Sequence, residues 1–252
     1  MTRVLVSVVT PVYNGSSSLK RCIESVQRQT FSQIEHILVD DGSSDESADM
    51  LLEAAEQYQN VRIYSIENSG AGIARNYATQ RSLGRFIAFL DCDDEWSPKK
   101  LEIQIRYMME NNIYFSFTNY RMNYTNSRRQ IFIECPNRVS HREFLVSCPI
   151  LCSSVVYDLK ALGKQYMHDI RRGQDWGLWL QISSSGVVAF NVAAEDAYTT
   201  YHVSTDSLSS NKLKKIVDIY SIYRLSGYRL ITSIILVALH ICGYLMKRAK
   251  RH

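Results

Sequence analysis

Three carboxylates crowd into Leu90-Asp91-Cys92-Asp93-Asp94, where the apolar run Phe86-Ile87-Ala88-Phe89-Leu90 stops. Carboxylates packed at the end of a buried strand repel one another unless a positive charge sits among them. A divalent cation is one partner, because hard cations take oxygen ligands and magnesium typically bridges one or two carboxylates to substrate phosphates. A solvated turn is the other reading of such a triplet. Asp40-Asp41 ends a second apolar run before Gly42-Ser43-Ser44-Asp45, and Asp175 precedes the apolar residues Trp176, Leu178, Trp179 and Ile182. In that place Asp175 is either the cap of a helix or a base able to take a proton from a hydroxyl.

These residues act together only if the chain folds them onto one surface. Residues 4–9 predict a buried strand ending at Thr10-Pro11, and residues 35–39 a second ending at Asp40-Asp41-Gly42. Further strands are expected at 61–66 and 85–90. Helical apolar spacing covers 19–29, Ser44-Asp45 caps a helix reaching 59, Gly70 opens one reaching 83, and Ser97-Pro98 opens one reaching 110. Strands alternating with helices of this length predict an α/β fold with a parallel sheet and right-handed crossovers. Ligands of such sheets lie beyond the carboxyl ends of the strands. That rule places Pro11-Val12-Tyr13-Asn14, Asp40-Asp41 and Asp91-Cys92-Asp93-Asp94 on one rim. Two acidic clusters facing one crevice would repel a diphosphate, so such a ligand calls for a metal. Beyond residue 112 the rhythm loosens. Strands are expected at 114–120, 130–135 and 197–202 and helices at 140–147 and 175–184, as an extension of the same sheet.

The 252 residues carry a formal net charge of +4, and Lys247, Arg248, Lys250 and Arg251 alone supply four positive charges. The body is therefore near neutral, which argues against a broad basic face for nucleic acid. The six cysteines show neither a Cys-x-x-Cys pair nor zinc-ligand spacing, so reduced thiols are expected. The opening residues, with Ser7 and Thr10 among them, do not read as a secretory signal, and folding is expected to begin at once.

Four segments recur in a telling order: Thr10-Pro11-Val12-Tyr13-Asn14, Val39-Asp40-Asp41-Gly42-Ser43-Ser44-Asp45, Gly70-Ala71-Gly72-Ile73-Ala74-Arg75-Asn76 and Leu90-Asp91-Cys92-Asp93-Asp94. This set resembles the family 2 glycosyltransferases, inverting enzymes of the GT-A fold. The resemblance runs from residue 4 to 101 and resumes at Arg171-Arg172-Gly173-Gln174-Asp175-Trp176. Each motif is short; the ordered set is specific. Within the family the chain looks like bacterial enzymes of surface polysaccharide assembly, including teichuronic acid and O-antigen. The resemblance implies a Rossmann-like, mostly parallel sheet flanked by helices, with a C-terminal helical tail. It divides the chain into a glycosyltransferase domain over 1–210, with a nucleotide-sugar half (1–110) and an acceptor half (111–210), and a membrane-associating segment over 211–252.

Roles follow from the resemblance residue by residue. Pro11, Tyr13 and Asn14 would line the nucleotide pocket, and Asp40 would accept a hydrogen bond from a uridine base, unless it merely ends a strand. Gly70 and Gly72 would expose N–H groups to the ligand, and Arg75 would reach a phosphate or hold Asp91. Asp91 would contact the ribose or donor sugar and Asp93 would hold Mn²⁺ or Mg²⁺ against the diphosphate. Asp94 either supports that ligand or caps the following helix. Asp175 would be the base for the acceptor hydroxyl, kept ionised by its helix N-terminus. Arg171 and Arg172 would neutralise the donor diphosphate or a lipid diphosphate acceptor. Trp176 would shape an acceptor pocket or fill the core. At Tyr201-His202, before Ser207-Leu208-Ser209-Ser210, relatives often carry Arg, so a charge-clamping role there is in doubt. Lone histidines such as His168 and His240 read as structural.

Residues 230–246 carry no formal charge but are short for a span, which takes about 20 apolar residues. A single span would also put the basic tail outside, against the positive-inside rule. An interfacial helix at the inner face of the cell membrane fits both constraints; packing on the body is the alternative. The expected protein is a cytoplasmic, peripherally bound transferase moving a hexose or N-acetylhexosamine from a UDP-sugar to an undecaprenyl-diphosphate-linked saccharide. A sugar nucleotidyltransferase would need cations just after the first strand, where Pro11-Val12-Tyr13-Asn14-Gly15 stands and none occurs until Lys20. A non-catalytic nucleotide-sugar binder would keep Asp40 and Asp93 without needing Asp175.

Overall fold

A computed structural model describes residues 4–124, 129–192, 195–203 and 212–249. Its first part alternates as expected: β1 (Val6–Val12), α1 (Ser16–Gln27), β2 (Ile34–Asp40), α2 (Ser47–Gln57), β3 (Val61–Ser65), α3 (Ala71–Arg81) and β4 (Phe86–Phe89), then a short β5 (Glu95–Trp96) and α4 (Lys100–Glu110). β1, β2 and β4 are buried along their whole length, as parallel strands covered on both faces must be. The remainder holds β6 (Phe115–Phe117), β7 (Asn119–Tyr124), β8 (Gln130–Ile133), β9 (Arg138–Val139), α5 (His141–Phe144), β10 (Val156–Asp158), α6 (Leu159–Leu162), α7 (Gln174–Ser184), β11 (Ala189–Asn191), β12 (Ala197–Val203), α8 (Lys212–Leu225) and α9 (Leu230–Ala249).

The large sheet has the order β3-β2-β1-β4-β10-β6-β11-β9, parallel from β3 to β4 and mixed beyond. Strand order reverses between β1 and β4, so the crevice lies there. Pro11 helps to open it. Val9 accepts a hydrogen bond from Leu90 N–H on the β4 side, and Val12 accepts from Asp41 N–H on the β2 side. Alternation therefore turns Pro11 toward β4, at the rung where a proline cannot donate. Pairing of β1 with β4 stops at Val9–Phe89, while β1 stays paired with β2 through Val12.

The second half departs from the expected extension of one sheet. The stretch 114–120 breaks at buried Thr118 into β6, which stays in the large sheet, and β7, which leaves it. β7 joins a separate sheet of order β5-β12-β7-β8. Asn119 anchors the fork, its Oδ1 accepting from Cys135 N–H at 2.8 Å and from Asn191 Nδ2 at 2.8 Å.

α7 is apolar nearly all round and is buried accordingly. Trp179 packs edge-on to Phe89 of β4 at 5.8 Å and tilted on Phe115 of β6 at 5.2 Å. This seats the helix over the strand that leads into the acidic loop. Trp176 belongs to the core, donating to Phe144 O at 2.7 Å and packing on Tyr223 and His240. The apolar stretch within α9 thus packs on the body along one face, through Leu236, Val237 and His240.

Candidate active site

The β1–β2 end of the rim is built by short side chains that tie loop to loop. Asn14 has φ +48 and bridges to the next unit, its N–H donating to Ser43 Oγ at 3.0 Å and its Oδ1 accepting from Ser44 N–H at 2.8 Å. Asn14 therefore ties the loop after β1 to the Ser43-Ser44 turn. Tyr13 beside it is 53% exposed. Asp40 Oδ1 accepts from Ser43 N–H at 3.1 Å, closing the strand-end turn, and Oδ2 has no partner among the described residues. Both readings of Asp40 are therefore accommodated, one by each oxygen.

Asp41 does something the sequence did not suggest. It is 2% exposed, and its two oxygens accept from Ser69 N–H at 2.7 Å and Gly70 N–H at 2.8 Å. The Gly70 N–H, expected to face a ligand, is spent on Asp41. What requires glycine at 70 is its φ of +91, which residues with a Cβ rarely adopt. Gly72 serves close packing: a Cβ there would lie 3.1 Å from Gln174 Cγ. Asp41→Ala removes the charged acceptor of two part-buried backbone N–H groups, and a hydrogen bond to a charged group contributes about 1.5–3 kcal/mol. The expected result is a fall of roughly 2–4 kcal/mol in urea unfolding free energy, against little change for Asp40→Ala.

The acidic loop is fixed from three sides. Arg75, buried on α3, pairs with Asp91 Oδ1 at 2.5 Å, so of its two expected roles it takes the one of holding Asp91. Arg21 of α1 donates to Asp93 O at 2.9 Å. Ser153, in a 3₁₀ turn at Cys152–Ser154, accepts from Asp91 N–H at 3.1 Å and donates to Asp94 Oδ2. Asp94 Oδ1 also accepts from His202 N–H at 3.3 Å. Asp94 thus joins the loop to the 3₁₀ turn and to β12, and does not cap α4, whose start carries no side-chain cap. The sequence carries no sign of Arg21 and Ser153, because their bonds run through a backbone carbonyl and a hydroxyl, which leave no signature at that distance. The His202 ring, in the segment where a charge clamp is in doubt, pairs with Glu95 Oε1 at 3.1 Å. Ser207–Ser210 lie outside the described residues.

One ligand oxygen from each of Asp91, Asp93 and Asp94 can be chosen so that all lie within 4.8 Å of one another. Burial and the neighbouring carboxylates push Asp94 well above the usual range, and desolvation with the Asp91 charge pushes Asp93 up. Those are the strains a cation would relieve, and an all-oxygen donor set suits a hard one. With Asp91 partly given to Arg75 and Asp94 to Ser153 and His202, exposed Asp93 is the carboxylate left to meet a ligand.

Asp175 sits in the first turn of α7, after Gly173 in the left-handed region. The helix start was expected to keep it ionised. Burial outweighs that start and the nearby Arg75 cation, so its carboxyl is pushed above the usual range. The same Arg75 guanidinium that holds Asp91 acts on Asp175, and Asp91 raises it further, which places the three in one electrostatic neighbourhood. Arg171 and Arg172 are exposed just ahead of it, with Arg172 3.8 Å from Asp218 of α8. All six cysteines are free, and burial holds the thiols of Cys148 and Cys152 near this site well above their ordinary range, which disfavours the thiolate. Burial lowers His168, which packs on Gly177.

The sequence model of the family described as Glycosyl transferase family 2 matches residues 7–170. A protein of Bacillus subtilis named for teichuronic acid biosynthesis, the glycosyltransferase TuaG, is 36% identical over 226 residues, 87% of each chain. The Escherichia coli UDP-Glc:alpha-D-GlcNAc-diphosphoundecaprenol beta-1,3-glucosyltransferase WfgD is 36% identical over 220 residues, 86% of this chain and 84% of its own. Among solved structures, Staphylococcus aureus TarS 1–349 in complex with UDP-GlcNAc superposes with a TM-score of 0.69 at 18% identity, covering 94% of this chain and 71% of that one. The superposition shows a shared fold, the GT-A arrangement of a mixed sheet flanked by helices.

Proposed function

The chain belongs to glycosyl transferase family 2, and we propose that it moves a hexose or N-acetylhexosamine from a UDP-sugar, with inversion, to a saccharide on undecaprenyl diphosphate. The observation that carries this reading is the exposed Asp93 carboxylate between two tethered ones, beside the Arg75 cation whose charge also acts on Asp175. UDP-Glc and diphosphoundecaprenol in the name of a relative aligned over most of both chains support the donor and acceptor classes.

The residues divide the work. Asp40 Oδ2 accepts from the uracil N–H, while Pro11, Tyr13 and Asn14 line the base and ribose. Asp93, with Asp91 and Asp94 behind it, holds Mn²⁺ or Mg²⁺. When bound, that ion supplies Lewis-acid stabilisation of the charge that develops on the departing diphosphate. Asp91 contacts the donor sugar from its pairing with Arg75. Asp175 takes the proton of the acceptor hydroxyl as the new bond forms, and its raised pKa suits it, since a base works best near ambient pH. Residues 1–110 thus serve the nucleotide sugar, 111–210 the acceptor, and 211–252 attach the protein to the inner face of the cytoplasmic membrane.

A panel of UDP-sugars with Mn²⁺ and a synthetic lipid-diphosphate acceptor tests the reading. One UDP-hexose or UDP-N-acetylhexosamine should give an acceptor-dependent glycoside whose formation stops with chelator. Transfer from other nucleotide sugars alone, or undiminished transfer in chelator, would overturn it.

A further inference from the structure

The hairpin of α8 and α9 carries charge and apolar surface that the site does not use. Residues 211–252 hold nine Lys or Arg against one acid, Asp218, for a net +8, whereas residues 1–210 sum to −4. The whole excess of positive charge therefore belongs to the hairpin and its tail. Lys214, Lys215, Arg224 and Arg229 are exposed on it; Lys250 and Arg251 lie outside the described residues.

α9 has two apolar faces. Ser233 and Leu236 are buried on the inner one, and the His240 ring lies 5.0 Å from Trp176. Ile231, Ile234, Ile235 and Leu239 recur at helical spacing on the other face and are about half exposed or more, Ile231 reaching 72%. Such a stripe flanked by cations is the surface of a helix that lies in a membrane interface. No helix among the described residues is long and apolar enough to cross a membrane.

The hairpin is built into the site. Ile222 of α8 presses on Gly173, its Cδ1 filling the place a Cβ would take, and Tyr223 meets Trp176 at 5.6 Å. Tyr223 Oη donates to Leu145 O at 2.5 Å, and Tyr228 Oη lies 2.7 Å from His141 Nε2. Gly173 and Trp176 bracket Asp175. Where α8 meets the head of α7, Arg171, Arg172, Lys214, Val217 and Asp218 line one groove, three cations to one acid.

We propose that the α8–α9 hairpin lies flat in the surface of an anionic bilayer, with Ile231, Ile234, Ile235 and Leu239 among the acyl chains and its cations at phosphate level. Docking then holds the Asp175 end of α7, and the Arg171–Arg172–Lys214 groove, at the height of a lipid-borne diphosphate. The docking part deepens the membrane attachment of the proposed function, and the acceptor part rests on its transfer reading.

The test uses the full chain and vesicles of phosphatidylcholine with about one-third phosphatidylglycerol. The wild type should float with these vesicles and lose most of that binding on pure phosphatidylcholine. The double variant Ile231→Asp/Ile235→Asp, both at exposed positions, should bind the anionic vesicles at least about tenfold more weakly. It should lose transfer to a vesicle-embedded polyprenyl-diphosphate sugar in proportion, yet keep transfer to a short-chain, water-soluble analogue. Flotation of the variant like the wild type, or failure of the wild type to float, would overturn the inference. So would a wild-type dimer that the two substitutions dissociate, since a second copy would then cover the face. Absence of wild-type transfer to the short-chain analogue would instead refute the proposed function and leave the docking result standing.

Discussion

Asp93→Asn lowers sugar transfer by about three orders of magnitude or more while leaving the unfolding midpoint in place. The size follows from what the amide removes. The substituted side chain would keep the shape of the loop and the Arg21 bond, which runs to the backbone carbonyl. It would discard the exposed carboxylate of the three, the one that neither Arg75 nor Ser153 and His202 have engaged. An ion held by the remaining two would have to compete with those partners. The loss should fall on kcat and on metal-dependent UDP binding together, measured by steady-state assays and by calorimetric titration of UDP with and without Mn²⁺. Stability should not fall, because Asp93 is exposed and its carboxyl is strained upward by desolvation and by Asp91. Retention of more than about a tenth of wild-type turnover would remove Asp93 from the metal site.

Asp175→Asn lowers kcat by about 10²–10⁴-fold with donor KM nearly unchanged, the range expected for removal of a general base. Its pH signature is more specific. The folded-state pKa is raised above that of an unfolded aspartate, chiefly by burial. The wild-type kcat/KM should therefore rise with pH through a limb above the ordinary carboxylate range, and the variant should lack that limb. Linkage fixes the sign for stability. A carboxyl with a raised folded pKa holds its proton more tightly in the folded state, so the protein loses stability as pH climbs from the unfolded pKa through the folded one. Asp175→Asn abolishes that loss and should be no less stable than wild type at neutral pH, as urea midpoints across pH will show. A destabilised variant would mean that Asp175 is chiefly a cap for α7.

Those two predictions draw on residues of unequal legibility. The rim could be read from sequence because β1, β2 and β4 are mostly apolar stretches whose ends are marked by Pro11, Asp40-Asp41 and Asp91, and parallel topology brings such ends together. Asp93 was legible for that reason. The second sheet was not: strands are expected over 130–135 and 197–202 and do form as β8 and β12, but nothing in them, or in the two-residue β5, marks that they pair apart from the large sheet. Its partners are set by contacts across about a hundred residues, such as Thr199 with Trp96. Gly70 was legible as a special glycine, but the acceptor of its N–H depended on how Asp41 turns after β2. For Asp175 the helix start was plain, while the pKa direction required knowing that α7 is buried and that Arg75 already serves Asp91. The tail was legible as apolar with a basic end; that one face of α9 packs on Trp176 while the other stays bare comes only from the folded chain.

The proposed reaction is a single displacement, with Asp175 taking the acceptor proton on the face opposite the departing UDP. The anomeric configuration of the product made from an α-linked UDP-hexose, read from the proton coupling constant by NMR, tests it most directly. A β-glycoside from the wild type, formed only with the divalent ion and absent with Asp175→Asn, is the predicted result. An α-glycoside would contradict it, because a retained linkage cannot arise from one base-assisted displacement.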